Sequence, residues 1–268
     1  MQPAAPRPIA FVIAATDHGS MILNRHDYQM VGPEQGFGVG YQLLNDSSFD
    51  ASEVRGALEL LSLRRMDFGD GVLALDCGAN IGVHTVEWAR AMNGWGKVVA
   101  FEAQERIFYA LAGNIAINNC RNATAANVAV GAKSGVLRIP DLDYDSPASF
   151  GSLELRGQPG GGEFIGQSID YERLSKEVRI IALDDLKLER WDFVKIDVEG
   201  MELEVLQGAA ESISRHKPIM IIETIKSGAE AVAAFLEPLG YRTWPWGINL
   251  LAVHRIDPTA SKVSLKRA

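Results

Sequence analysis

With 268 residues, 47% of them hydrophobic, the chain can bury a sizeable core and reads as one domain with embellishments, so a second full domain is not expected. A formal net charge of −8 argues against binding nucleic acid through a broad basic surface, which needs lysine and arginine to displace counterions, although a local basic groove is compatible with it. No apolar run approaches the roughly 20 residues that cross a bilayer, and the opening MQPAAPRPIA lacks the long apolar stretch of a secretory signal; the expectation is a cytoplasmic protein with no integral membrane segment.

Residues 1–8 are proline-rich and expected to be disordered. Residues 9–15 and 20–23 are strand-like around a turn at Asp17, His18 and Gly19, which reads as a hairpin. The polar residues that follow, Asn24, Arg25, His26, Asp27 and Tyr28, either line a substrate mouth or make a solvated turn. Ser52 has the side chain of an N-cap, and Val54, Leu58, Leu61 and Leu63 give residues 53–65 helical spacing. Residues 9–71 are thus expected to form an N-terminal cap.

The chain is organised around residues 71–82, GVLALDCGANIG. Residues 72–75 form a continuous apolar run, as in a strand buried on both faces of a parallel sheet, and it stops at Asp76. Gly78 and Gly82 then flank Ala79, Asn80 and Ile81, and residues 83–92 carry helical spacing. A strand, a glycine loop and a helix N-terminus can hold a dinucleotide. Asp76 argues against one, because its carboxylate would repel a pyrophosphate and suits an ammonium and a sulfonium, as in S-adenosylmethionine. Asn80 stands where a middle glycine might, and asparagine tolerates left-handed backbone angles.

Residues 97–101 (KVVAF) form the second strand and end at Glu102, placed to accept ribose hydroxyls in either an NAD or an S-adenosylmethionine site. Residues 105–119 read as a helix capped by Asn118 and Asn119. Residues 123–130 read as the third strand, and Asn127 either meets an adenine edge or forms a turn. Residues 136–139 can form a small extra strand. Residues 141–177, with the run GQPGGG at 157–162, are the least regular and are expected to be a mobile lid over the substrate side. Strands follow over residues 178–183, 193–197 (FVKID) and 218–224 (PIMIIET), with helices over 201–213 and 229–236. A hairpin over 241–246 and 249–254 closes the domain, and residues 257–268 read as a loose tail. The alternation implies an α/β fold with a doubly wound, mostly parallel sheet, and Asp76, Glu102, Asn127, Asp197 and Glu223 all fall at strand ends facing one crevice. Cys77 and Cys120 suggest no disulfide framework, and Cys77 reads as a small buried residue rather than a nucleophile, since no histidine partner is evident.

The segments LDCGANIGVHT, AFEAQ, NVAVGAKSG, IIALDDL and above all VKIDVEGMELEVLQG resemble the FkbM-like family of class I methyltransferases. The resemblance spans most of residues 72–225 and implies a seven-stranded Rossmann-like sheet over residues 72–256, with the last hairpin antiparallel. It also implies S-adenosylmethionine as cofactor and methyl transfer to a hydroxyl of a sugar, a glycan (polysaccharide, lipopolysaccharide or glycolipid) or a natural product. Cofactor contacts are then expected at Asp76, Gly78, Asn80, Gly82, Glu102 and Asn127, with the neighbouring Ala103 and Val128. Residues 141–177 match no family motif, which leaves the acceptor unidentified.

Methyl transfer from a sulfonium is an in-line displacement that needs the acceptor oxygen about 3–3.5 Å from the methyl carbon, and a hydroxyl acceptor must also lose its proton. The candidates for that base are Asp197, Glu199, His84 and Glu223, with His254 read as a surface residue. Glu199 can equally complement a helix dipole, and His84 can equally cap helix donors. Asp197, Glu223 and Glu199 could instead hold Mg²⁺ through hard oxygens, but their spacing does not establish this and no metal ligand is assigned. Trp244 and Trp246, on either side of Pro245, either stack on a sugar or are buried. Competing readings are a non-catalytic nucleoside-binding scaffold in glycan assembly, which would need no base, and an NAD enzyme, disfavoured by Asp76 and Asn80. An RNA methyltransferase is disfavoured by the acidic balance and the absence of an Asn-Pro-Pro-Tyr-like motif.

Overall fold

The structure is a computed structural model that describes residues 8–33, 35–157, 162–171 and 175–263. It opens on a hairpin, β1 (Phe11–Thr16) and β2 (Gly19–Asn24), followed by the short strands β3 (Gln29–Met30) and β4 (Gly36–Phe37). Helices α1 (Val39–Asp46) and α2 (Ala51–Phe68) lead into the first half of the central sheet. That half is β5 (Val72–Cys77), α3 (Val83–Ala91), β6 (Gly96–Phe101), α4 (Glu105–Ile117) and β7 (Ala123–Ala126). A side sheet of β8 (Ala129–Val130), β9 (Gly135–Pro140) and β10 (Ser175–Ile181) intervenes. The second half is β11 (Phe193–Ile196), α5 (Glu202–Gln207), α6 (Ala210–His216), β12 (Ile219–Glu223), α7 (Ala229–Leu236), β13 (Tyr241–Trp246) and β14 (Asn249–His254).

The central strands stand in the order β13-β14-β12-β11-β5-β6-β7. From β7 to β12 every pairing is parallel, and β14 is antiparallel to both its neighbours. This is the expected doubly wound, mostly parallel seven-stranded sheet. Its inner strands are covered on both faces, hence their unbroken apolar runs: β11 and β12 are buried at every position, and β5 at every position but Leu73. The chain winds outward from β5 to β7 and then the other way from β11, so β5 and β11 form a switch point where a crevice opens beyond their carboxyl ends.

Several elements depart from the sequence expectation. The third strand divides at Asn127: β7 pairs with β6, and β8 turns aside to pair with β10. The Asn127 amide donates to the carbonyls of Glu102 (2.9 Å) and Ala103 (3.1 Å), which fixes the bend and commits the side chain to turn formation. The helix expected over residues 201–213 is two, because the Asp184 carboxylate accepts from the backbone N–H groups of Glu211 (3.0 Å) and Ser212 (2.8 Å) and so starts α6 separately from α5. Helix α2 starts earlier than expected, with Asp50 rather than Ser52 at its N-cap, since the Asp50 carbonyl already accepts from Val54 N at 3.0 Å.

The cap is tied to the sheet. Asn114, fully buried on α4, accepts from Ile22 N (2.5 Å) and donates to the carbonyls of Ile22 (3.0 Å) and Ile81 (2.8 Å). Its amide thus mimics a strand edge for β2 and braces the glycine loop at once. Asn24 and Asp27 neither line a mouth nor sit in water. Asp27, 2% exposed, accepts from Gly40 N (3.0 Å) and Phe150 N (2.9 Å), and burial pushes its carboxyl up to about 6. Through Phe150 it holds the segment expected to be a lid, and Ala148, Phe150, Leu153 and Ile165 of that segment are all in the core. Residues 158–161 of its glycine run lie outside the described residues, as do residues 1–7 at the start.

The tail is packed as far as residue 263. Asp257 pairs with buried Arg64, and its Oδ1 accepts from Thr259 N at 2.8 Å ahead of a 3-10 turn at Pro258–Ser261; residues 264–268 lie outside the described residues. His254 is buried rather than on the surface, edge-on to Tyr241 with ring centroids 5.3 Å apart. Trp244 and Trp246 pack against the core, and Trp246 covers Gly56 so closely that a Cβ there would lie 2.4 Å from its ring.

Candidate active site at the switch point

One wall of the crevice grows out of β5 and β6. Asp76, 1% exposed, accepts from Thr85 Oγ1 of α3 at 2.5 Å through Oδ2, while its Oδ1 is buried with no hydrogen-bond partner among the described residues. Gly78 has φ 81°, and a Cβ there would lie 1.7 Å from the Asp197 carbonyl oxygen, so only glycine lets the loop lie against the end of β11. Asn80 takes the left-handed angle expected of it (φ 50°); its N–H donates to Glu102 Oε2 at 2.9 Å. Glu102 Oε1 accepts from Gln104 N at 2.8 Å. Burial raises the Glu102 carboxyl to about 7 in spite of these backbone donors.

The facing wall comes from β11, β12 and the cap. Lys195 is 6% exposed in the middle of β11, level with Asp76 on β5, and its Nζ lies 2.7 Å from Asp197 Oδ2. Burial works against its charge, but Asp197, Glu53 and Asp76 together outweigh burial and hold the ammonium above the usual lysine range. Glu53 of α2 lies 3.3 Å from His84 Nε2 and accepts from Asn249 Nδ2 at 2.7 Å. Glu199, in a left-handed conformation (φ 58°), pairs with Lys226 at 2.6 Å; burial and the nearby Asp197 push its carboxyl upward against that cation. Lys226 also donates to the Ser152 carbonyl at 2.8 Å, which pins the segment above the crevice. Burial raises Glu223 to about 7, opposed by the Ile225 N–H that its Oε1 accepts.

These walls enclose a crevice of about 390 Å³. Asp76, Gly78, Asn80, Gly82, Glu102, Ala103 and Val128 line it, and so do His84, Asp197, Glu199 and Glu223. Of the residues expected there, Asn127 does not, since its amide is turned to the backbone. Cys77 is buried beneath the loop, and burial drives its thiol well above the usual range, which removes any nucleophilic role. Lys195, Glu53, Asp50 and Lys226 were not singled out in the sequence. Lys195 carries a signal, a lysine inside an otherwise apolar strand, which must find partners; the others carry none.

The carboxylates considered for Mg²⁺ do not form a ligand set. Among the described residues no group of three or more His, Cys, Asp or Glu side chains could hold a metal ion, and Asp197 and Glu199 each face a lysine instead. No helix among the described residues is long and apolar enough to cross a membrane.

A family model described as a methyltransferase FkbM domain matches residues 76–243, more than half of the chain. Methyltransferase sdnD from Sordaria araneosa is 30% identical over 188 residues, covering 62% of this chain and 72% of that protein. Among solved structures, methyltransferase FkbM from Methylobacillus flagellatus KT is similar with a TM-score of 0.47 and 18% identity, over 72% of this chain and 48% of that one, so the chain spans about half of that protein's length. The O-methyltransferase from Bacillus cereus, in complex with SAH, gives 0.46 and 15% identity over 78% and 83%. The matched stretch runs from Asp76 near the end of β5 into β13 and takes in both walls of the crevice apart from the cap residues, Asp50 and Glu53 among them, and Ile248 and Asn249 where β14 begins; the chain belongs to the FkbM methyltransferase family.

Proposed function

We propose that this chain is an S-adenosylmethionine-dependent O-methyltransferase whose acceptor is a hydroxyl of a sugar, a glycan or a natural product. The observation that carries the reading is Asp76 Oδ1, a buried carboxylate oxygen left without a partner at the switch point, where a ligand ammonium would satisfy it. The crevice beside it, along the loop that Gly78 lets lie against β11, and the carboxylate of Glu102 across that loop fit a nucleoside with a charged amino-acid arm. Bound there, S-adenosylmethionine supplies a methyl carbon made electrophilic by its sulfonium.

The chain's own residues supply the rest. Asp76 holds the ammonium, Glu102 accepts from the ribose hydroxyls, and the backbone of Ala103 and Val128 walls the base. Asp197 takes the acceptor proton, its carboxylate held in place by Lys195 at 2.7 Å. His84, Glu199 and Glu223 complete the polar wall on the acceptor side. The acidic balance favours a small-molecule or glycan acceptor over nucleic acid.

Incubation with S-adenosylmethionine and a glycan or metabolite extract tests this. SAH should accumulate and one acceptor should gain the mass of a methylene group that survives mild alkali, as a methyl ether does and a methyl ester does not. SAH binding without turnover on any extract would leave a nucleoside-binding scaffold; no SAH binding would remove the cofactor assignment.

A further inference from the structure

Glu223 ends β12, one strand beyond Asp197, and is 4% exposed. Its Oε1 accepts from Ile225 N, but its Oε2 is buried with no hydrogen-bond partner among the described residues, and the residue lines the crevice. A buried acceptor in this state costs free energy until a donor reaches it. The wall around it is net acidic: Asp50, Glu163, Asp197 and Glu199 also line the crevice, against two lysines. Both ammonium groups that line it are engaged, Lys195 with Asp197 at 2.7 Å and Lys226 with Glu199 at 2.6 Å, and His84 lies 3.3 Å from Glu53. Among the described residues that line the crevice no lysine is left without a carboxylate partner, and a carboxylate or phosphate brought here would meet carboxylates in partly desolvated surroundings, where repulsion is strong.

We infer that Glu223 is the acceptor-recognition carboxylate of the crevice and that the acceptor is an uncharged or amine-bearing polyol, with sugar acids and sugar phosphates excluded. The inference rests on the methyltransferase reading and names the substrate class for that site. A hydroxyl of the acceptor donates to Glu223 Oε2; an ammonium does so with charge assistance and is held more tightly. Asp197, Glu199, Glu202 and Lys226 are charged groups that face Glu223; the three carboxylates reinforce its preference for a cation and Lys226 opposes it. Exclusion of anions needs no further device, because both lysines are already paired.

The test begins with calorimetry of SAH and then uses ligand-observed NMR on SAH-saturated protein at about pH 7.5, where a carboxyl near 7 is mostly ionised and an amino-sugar ammonium is still substantially protonated. The probes are methyl glucoside, methyl glucosaminide and methyl glucuronide. The first two should engage and the glucuronide should not. Glu223→Gln should weaken the glucosaminide by about tenfold or more relative to the glucoside, with SAH affinity unchanged, which also shows that the variant is folded. Engagement of the glucuronide at the strength of the glucoside, an unaltered preference in the variant, or silence from all three probes would overturn the inference. Failure of SAH to bind would instead strike the cofactor assignment, and the same ranking of probes on the free protein would still decide the acceptor class.

Discussion

The two walls of the crevice hold their carboxylates by different means. On the β5–β6 side the donors are a hydroxyl and backbone N–H groups: Thr85 on Asp76, and Asn80 and Gln104 on Glu102. On the β11–β12 side they are chiefly lysine ammonium groups, Lys195 on Asp197 and Lys226 on Glu199, with the Ile225 N–H on Glu223. Backbone donors are placed by the dihedral angles of the loop itself, so the first wall is formed as soon as the glycine loop closes against β11. The second wall depends on long side chains, one of which, Lys226, reaches Glu199 from the loop after β12, and that ammonium opposes the upward push that burial and Asp197 exert on the Glu199 carboxyl. One wall is therefore a cradle of fixed shape and the other an electrostatic surface, which is the division of labour expected between a constant cofactor and a varied acceptor.

The largest effect should come from breaking the first wall at Gly78. An alanine there must adopt φ 81° and place its Cβ 1.7 Å from a backbone oxygen, so β5 and β11 must separate. We expect Gly78→Ala to lose SAH binding and to cost at least about 3 kcal/mol in urea denaturation. Wild-type binding in that variant would show that the wall is not preformed. Next in size is Asp197→Asn, which keeps the shape of the second wall and removes its base. Turnover should drop by about 10²-fold or more while SAH affinity holds. Near-normal turnover would move the proton to His84, Glu199 or Glu223.

The same contrast explains what the sequence revealed. The first wall was legible because it is local: a strand, an acid, glycines and a left-handed asparagine follow one another in a few residues, and each has one conformational use. The order of the sheet was legible for a similar reason, since parallel strands buried on both faces must be apolar throughout. Asn127 was half legible; its place at a strand end was right, but its amide serves the bend between β7 and β8. The second wall was legible in its carboxylates, since Asp197, Glu199 and Glu223 were expected there and line the crevice, but not in their partners: Glu53 comes from the cap, Asn249 from β14 and Lys226 from the loop after β12, and no periodicity announces that they meet. The irregular segment was legible only in part: nothing in its polar, glycine-rich composition announces that Phe150 and its neighbours are anchored by Asp27, a residue far away in sequence, while residues 158–161 of the glycine run lie outside the described residues.

Smaller effects sharpen the comparison at Glu102. Replacing it with alanine should weaken S-adenosylmethionine binding by roughly 1.5–3 kcal/mol, the range for hydrogen bonds to a charged group; wild-type affinity by calorimetry would remove it from the site.

The smallest effect, and the one that tests the two walls against each other, is the pH dependence of stability in Glu102→Gln. Burial raises the folded carboxyl from 4.5 to about 7, with the N–H groups of Gln104, Asn80 and Ala103 opposing. Between those values the folded chain binds more protons than the unfolded chain, so the stability Glu102 contributes is complete below about 4.5 and is lost as pH rises through about 7. Glu223 and Asp27 are raised too and bend the same curve in both proteins, so only the difference between wild type and variant isolates Glu102. Wild type minus Glu102→Gln should fall by on the order of 2 kcal/mol from about pH 5 to about pH 8. A flat difference would mean that the backbone donors offset burial in full, so that the loop by itself keeps the Glu102 carboxyl in the ordinary carboxylate range.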